Sequence, residues 1–182
     1  MKIGVILARF QPIHNGHIHL IKQACKENEE VLILIGSANK VNSRNPIPVE
    51  LREQYVIESL KEQGLEKQCI IKTLDDLGEE TDNGYEWGFY LYANIAKYTG
   101  HHNFTMYYSD GFEIVTTWFP GYILRNHISL SLLSRGSIES GVSATTVREY
   151  IKNSDYPGLK LSVPTVIYEN KETVKAFISV QK

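Results

Sequence analysis

From residue 9 the chain reads Arg9-Phe10-Gln11-Pro12-Ile13-His14-Asn15-Gly16-His17. Two histidines three residues apart share a helix face, so both can meet one ligand. Gly16 between them removes a side chain and lets a phosphate come close to the backbone. A helix beginning here would add free N–H donors and the positive end of its dipole, a natural anion site. A second stretch of similar chemistry is Ser143-Ala144-Thr145-Thr146-Val147-Arg148. Hydroxyls at a helix start cap free N–H groups and can also meet phosphate oxygens. Arg148 lies one helical turn past Thr145, and its fork can bind two phosphate oxygens at once. Read alone, this second stretch is better taken as an ordinary N-cap with a surface arginine; it points to a triphosphate only when coupled to the first.

These residues need elements to hold them. Strands are expected over 2–8, 31–36, 69–74 and 104–109, each short, apolar and sharply ended. Helices are expected over 16–28, from Pro48 to Gly64, over 85–98 and over 143–153. Loops fill 9–15, 37–46 and the acidic stretch 75–84. Within 110–141 a short helix and then a strand near 128–133 are expected, and a last helix lies within 165–180. Alternation of strand and helix implies an α/β fold, a single doubly wound parallel sheet with helices on both faces. Ligands of such sheets bind beyond the carboxyl ends of the strands, at the switch point.

Composition narrows the choice. The 182 residues suit one domain, with the motifs in 2–150 and a helical tail over 151–182. Hydrophobic residues are 42% and charged residues 22%, too apolar for disorder. Nineteen Lys and Arg against 21 Asp and Glu give a net charge of -2, which argues against a nucleic-acid partner. Cys25 and Cys69 stand 44 residues apart with no CxxC, so two reduced, buried thiols are expected rather than a metal site or disulfide framework. The early apolar run is too short for a signal core or membrane span, and a soluble cytoplasmic protein is expected, with no membrane partner.

The string RFQPxHxGH resembles the nicotinamide mononucleotide (NMN) adenylyltransferases of the archaeal type and the related bifunctional bacterial enzymes. Its His14–His17 part is similar to the HIGH signature of the wider nucleotidyltransferase superfamily. Ser143, Thr145 and Arg148 match that superfamily's second motif, ISSTxxR. Gly36-Ser37-Ala38 and Asn45-Pro46 also fit, although Ile47 replaces an aromatic and Leu51 stands before Arg52 where Glu is usual. The resemblance covers about residues 2–150 and implies a Rossmann-like nucleotidyltransferase fold. It implies transfer of an adenylyl group from ATP to NMN, with Mg²⁺ carried by ATP and no protein metal ligands.

Residue by residue, the resemblance implies catalytic roles for His14, His17 and Arg148. ATP contacts would come from Arg9, Phe10, Gln11, Gly16, Ser143, Thr145 and Thr146. NMN contacts would come from Ser37, Asn45, Arg52, Asn83 and Trp87. Arg52 reads equally as a solvated helix residue, and Trp87 equally as core. Other acceptors (a flavin, pantetheine or sugar-alcohol phosphate), a non-catalytic nucleotide-binding regulator and a homo-oligomeric assembly all remain compatible with these residues. A class I tRNA synthetase fragment shares HIGH, but the chain is short and lacks a KMSKS-like loop.

Overall fold

The computed structural model describes residues 1–78, 84–134 and 142–180. Strands β1 (Ile3–Ala8), β2 (Glu30–Ile35), β3 (Cys69–Thr73), β4 (Phe104–Ser109) and β5 (Ile128–Leu133) form one sheet. Its order is β3-β2-β1-β4-β5, with every neighbouring pair parallel. The order reverses between β1 and β4, so a crevice opens at their carboxyl ends.

Successive side chains of a strand point to opposite faces, and the sheet is apolar on both. Val31, Ile33 and Ile35 enter one core with α1 (Asn15–Glu27), α2 (Val49–Glu62) and α5 (Ala144–Lys152). Leu32 and Leu34 enter the other with α3 (Tyr85–Thr99) and Trp118. This explains why the central strands read as unbroken apolar runs rather than alternating ones.

Two regions differ from the sequence expectation. The short helix expected after residue 110 is a 3₁₀ turn, Glu113–Thr117, followed by α4 (Gly121–Asn126) before β5. The tail holds three helices after α5 rather than one: α6 (Tyr156–Ser162), α7 (Thr165–Glu169) and α8 (Lys171–Val180). Helix α6 has an ordinary start signal, since Asp155 accepts a hydrogen bond from the Gly158 N–H at 3.1 Å and a proline stands in its first turn. Helix α8 packs against α5 and thereby braces the second motif.

One glycine fixes the approach of α3. A Cβ on Gly88 would lie 1.9 Å from the Trp118 carbonyl oxygen and 2.7 Å from its carbon. Gly84, at the start of the same helix, has nothing within 4 Å of its Cβ position. Gly88→Ala should therefore lose about 3 kcal/mol in a urea unfolding titration, the upper range for overpacking. Gly84→Ala should stay within about 0.5 kcal/mol. Equal losses would show that α3 can slide off the Trp118 backbone.

Candidate active site

The loop after β1 turns into α1 through an unusual cap. His14 is the N-cap, and its Nδ1 accepts the Gly16 N–H at 3.1 Å. His17 Nδ1 in turn accepts the His14 N–H at 3.3 Å. The two side chains thus form a capping box, a role more often filled by Ser or Thr with Glu. Because both Nδ1 atoms accept, the ring proton of each neutral imidazole belongs on Nε2. The rings stack with centroids 3.8 Å apart, and Phe10 lies 4.7 Å from His17. Gly16 proves necessary to this arrangement, since a Cβ there would meet His14 Cε1 at 2.9 Å and the Val142 carbonyl at 3.3 Å.

That last contact brings the start of α1 against the start of α5. Ser143 is the N-cap of α5, accepting the Thr146 N–H at 3.1 Å. Arg148 donates to the Gln11 carbonyl at 2.8 Å and to Thr145 Oγ1 at 3.3 Å. Burial, and secondly the nearby Arg9, hold the Arg148 guanidinium below its usual value. It stays cationic at neutral pH, and two arginines close enough to repel each other suit a shared anion.

A cavity of about 480 Å³ lies here, at the carboxyl ends of β1 and β4. This volume falls in the range of small-molecule sites. Arg9, Phe10, Gln11, His14, Gly16, His17, Ser37, Trp87, Ser143, Thr145 and Arg148 all border it. Among the described residues its charged lining is Arg9, Arg44, Arg148 and Asp76. A chain of net charge -2 therefore presents a cationic wall at one place.

Three expected residues do not reach the cavity wall. Thr146 sits within the α5 cap, its hydroxyl 2.9 Å from Ser143 Oγ. Asn45 is fully buried in the loop before α2. Arg52 is neither a solvated helix residue nor a cavity residue: it is fully buried beneath the wall. Its guanidinium donates to the carbonyls of Arg9 at 3.0 Å, Gly36 at 2.8 Å and Ser37 at 3.0 Å. Desolvation pushes it down to about 10 even though Glu50 and Asp76 oppose the fall. Gln11 also works largely behind the wall. Its side-chain amide donates to the Ile47 carbonyl at 3.2 Å and accepts the Ile47 N–H at 2.9 Å. Asn83 lies outside the described residues.

The far end of the cavity is aromatic. Trp87 and Trp118 meet edge to face at 6.0 Å, and Phe112 meets Trp118 at 5.4 Å. Trp87 is 8% exposed, so it serves the core and borders the cavity at once. Sequence reasoning did not single out Arg44, Phe112 or Trp118. Arg44 carried a signal, an arginine in a polar loop beside Asn45-Pro46, whereas Phe112 and Trp118 sat in a segment with no clear period.

Residues 5–150 match the family described as cytidylyltransferase-like. The chain belongs to the cytidylyltransferase-like family. This member resembles a nicotinamide-nucleotide adenylyltransferase of Thermococcus onnurineus, 33% identical over 98 residues, 53% of this chain and 50% of that protein. The chain thus spans about half the length of the curated relatives it matches. Among solved structures, a putative nicotinate-nucleotide adenylyltransferase from Vibrio parahaemolyticus superposes with a TM-score of 0.70 at 15% identity, covering 100% of this chain and 98% of that one. A bifunctional NMN adenylyltransferase/ADP ribose pyrophosphatase from Francisella tularensis, complexed with AMP and a Mn ion, gives 0.62 at 23% identity, covering 84% of this chain and 42% of that one. At these identities the structural likeness establishes a shared fold.

The Arg52 geometry yields a stability test in this cytidylyltransferase-like protein. Arg52→Met strands buried carbonyls and should cost about 3–5 kcal/mol in urea unfolding. Arg52→Lys keeps the charge but cannot reach carbonyls on two strand ends together, so it should lose nearly as much. A lysine variant as stable as the parent would show that charge, and not the fork, holds this region.

Proposed function

We propose that this chain joins ATP and NMN, giving NAD and pyrophosphate. The observation that carries the reading is a single cavity with unlike ends, helix N-termini and arginines at one and tryptophans at the other. The cationic end suits a triphosphate and the aromatic end suits a flat pyridinium, by stacking and cation–π attraction. The similarity to nicotinamide-nucleotide adenylyltransferases supports the same acceptor.

In this reading a phosphate oxygen of NMN attacks the α-phosphorus of ATP. The bond from that phosphorus to the α,β-bridging oxygen breaks, and pyrophosphate leaves. A phosphate monoester is already ionised at neutral pH, so the step needs no general base. Catalysis rests on positioning and on donors aimed at the charge that develops. His14 and His17 offer Nε2–H donors to the α- and β-phosphates, fixed by the cap that occupies their Nδ1 atoms. Arg148 takes the β- and γ-phosphates with Ser143 and Thr145, and Arg9 takes a phosphate at the loop mouth. Gly16 and Phe10 hold the ring pair in place, while Gln11 holds the loop that carries Arg44.

On the acceptor side, Ser37 and Trp87 border the NMN ring and ribose, and Arg44 meets its phosphate. Asn45 and Arg52 shape that loop from behind. A divalent cation, Mg²⁺ in this proposal, enters with ATP and neutralises phosphate charge. Among the described residues no group of three His, Cys, Asp or Glu could hold a metal ion, which is compatible with a metal held by phosphate oxygens and water. The Mn ion and AMP in the Francisella structure support nucleotide and divalent-metal use. No described helix is long and apolar enough to cross a membrane. A cytoplasmic setting, where ATP and NMN are found, completes the proposal.

Incubation with ATP, NMN and Mg²⁺ should yield NAD and pyrophosphate in equal amounts by chromatography. Turnover only with a flavin, pantetheine or sugar-alcohol phosphate would move the acceptor assignment. Tight ATP binding without turnover on any acceptor would make the chain a nucleotide-binding regulator instead. His17→Ala should lower kcat about 10²–10³-fold, the loss of one preorganised donor of roughly 2.7–4 kcal/mol. Its KM for NMN should change little, and its stability should fall by only about 1 kcal/mol for the damaged cap. Near-normal kcat in that variant would leave His17 a capping residue alone.

A further inference from the structure

The two cysteines, 44 residues apart in sequence, do not lie in separate parts of the core. Their Sγ atoms are 3.8 Å apart, and both side chains are only half-buried. Cys25 is near the end of α1 and Cys69 is the first residue of β3. Gln68 ties the two backbones together, donating from Nε2 to the carbonyls of Cys25 and Asn28, each at 2.7 Å. The thiols are therefore held as neighbours by bonds that do not involve sulfur. A disulfide needs an S–S distance of about 2.05 Å. Side-chain rotation is the movement the bridge requires, at a place where β3 is the edge of the described sheet and pairs there with β2.

We propose that Cys25 and Cys69 form a reversible dithiol–disulfide site, oxidised within the folded protein by low-molecular-weight disulfides such as oxidised glutathione. Cys25 is the attacking group. The two sulfurs share a hydrogen bond, which lowers the Cys25 thiol and raises that of Cys69, with burial adding to the rise. The Cys25 thiolate attacks one sulfur of oxidised glutathione. A Cys25–glutathione bond forms, the glutathione S–S bond breaks, and one glutathione thiolate leaves. Cys69 then gives its proton to water and attacks the Cys25 sulfur, releasing the second glutathione thiolate. Two protein thiols are oxidised and one glutathione disulfide is reduced to two thiols, so electrons balance.

The bridge would staple α1 to the sheet edge at the end of the strands away from the cavity. Cys25 lies eight residues beyond His17, about 12 Å along the helix. The site is thus independent of the proposed adenylyl transfer, and its test needs no activity assay.

The purified chain is equilibrated in glutathione buffers from fully reducing to fully oxidising, then quenched with N-ethylmaleimide and weighed. The expected result is a cooperative loss of both alkylation sites together, with a Cys25–Cys69 cross-linked peptide in the digest and full reversal by dithiothreitol. The bridged form should melt about 5–10 °C higher, since the bond closes a long loop in the unfolded chain. Cys69→Ser should instead hold a lasting glutathione adduct on Cys25. The proposal is overturned if the parent chain retains such an adduct, if both thiols stay alkylatable in the most oxidising buffer, or if the bridged form melts lower than the reduced one.

Discussion

One buried guanidinium sets the geometry on which the rest of the cavity depends. Arg52 reaches from α2 to the ends of both β1 and β2 and donates to backbone carbonyls of each. Those strand ends carry Phe10 and Ser37 at φ 51 and 50, a region that side chains other than glycine rarely adopt. Such conformations persist only where the surroundings over-determine them. Arg52 supplies that constraint by fixing the carbonyl just before Phe10 and that of Ser37 itself. The loop then turns beneath the cavity, and Phe10 becomes a floor for the His17 ring. A cation stripped of water is costly, and here carbonyl dipoles from two strand ends offset that cost.

The histidine pair shows how one set of atoms can serve both fold and chemistry. A helix start leaves N–H groups without partners, and any acceptor can satisfy them. Using imidazole for this purpose commits Nδ1 and leaves Nε2 as the donor. The same interaction that begins α1 thus selects a tautomer and freezes two rings against each other. Ser143 and Thr146 repeat the principle on α5 with hydroxyls. Both helix starts face one cavity because the Val142 carbonyl packs over Gly16.

Much of this could be read in the residues, for identifiable reasons. The buried strands announced themselves as short apolar runs, and the Ser143 cap of α5 was visible because capping is local in sequence, whereas the histidines were read as ligand-facing and not as the cap of α1. Arg52 and Gln11 were not legible as struts, since their partners are backbone groups and any residue can supply a carbonyl. Trp118 became meaningful only through its packing on Trp87, which two separate segments create. The contact between Cys25 and Cys69 is likewise a product of strand order. Helix α6 was missed although Asp155 and Pro157 signalled it, because seven residues show too little periodicity.

The bond from Arg148 to the Gln11 carbonyl joins residues 137 positions apart, and Asn15 meets the Leu161 carbonyl across 146. Contacts this remote along the chain must bear the entropy of closing a long loop before they return any stability. During synthesis the cavity cannot close until α5 and the tail have emerged. Meanwhile α1 and the first strands can emerge and pair well before α5 exists to face them. A nascent chain would hold its histidine cap ready yet lack the opposite wall. Any ligand spanning both walls would bind only the finished fold, and in doing so would draw the folding equilibrium towards it by mass action.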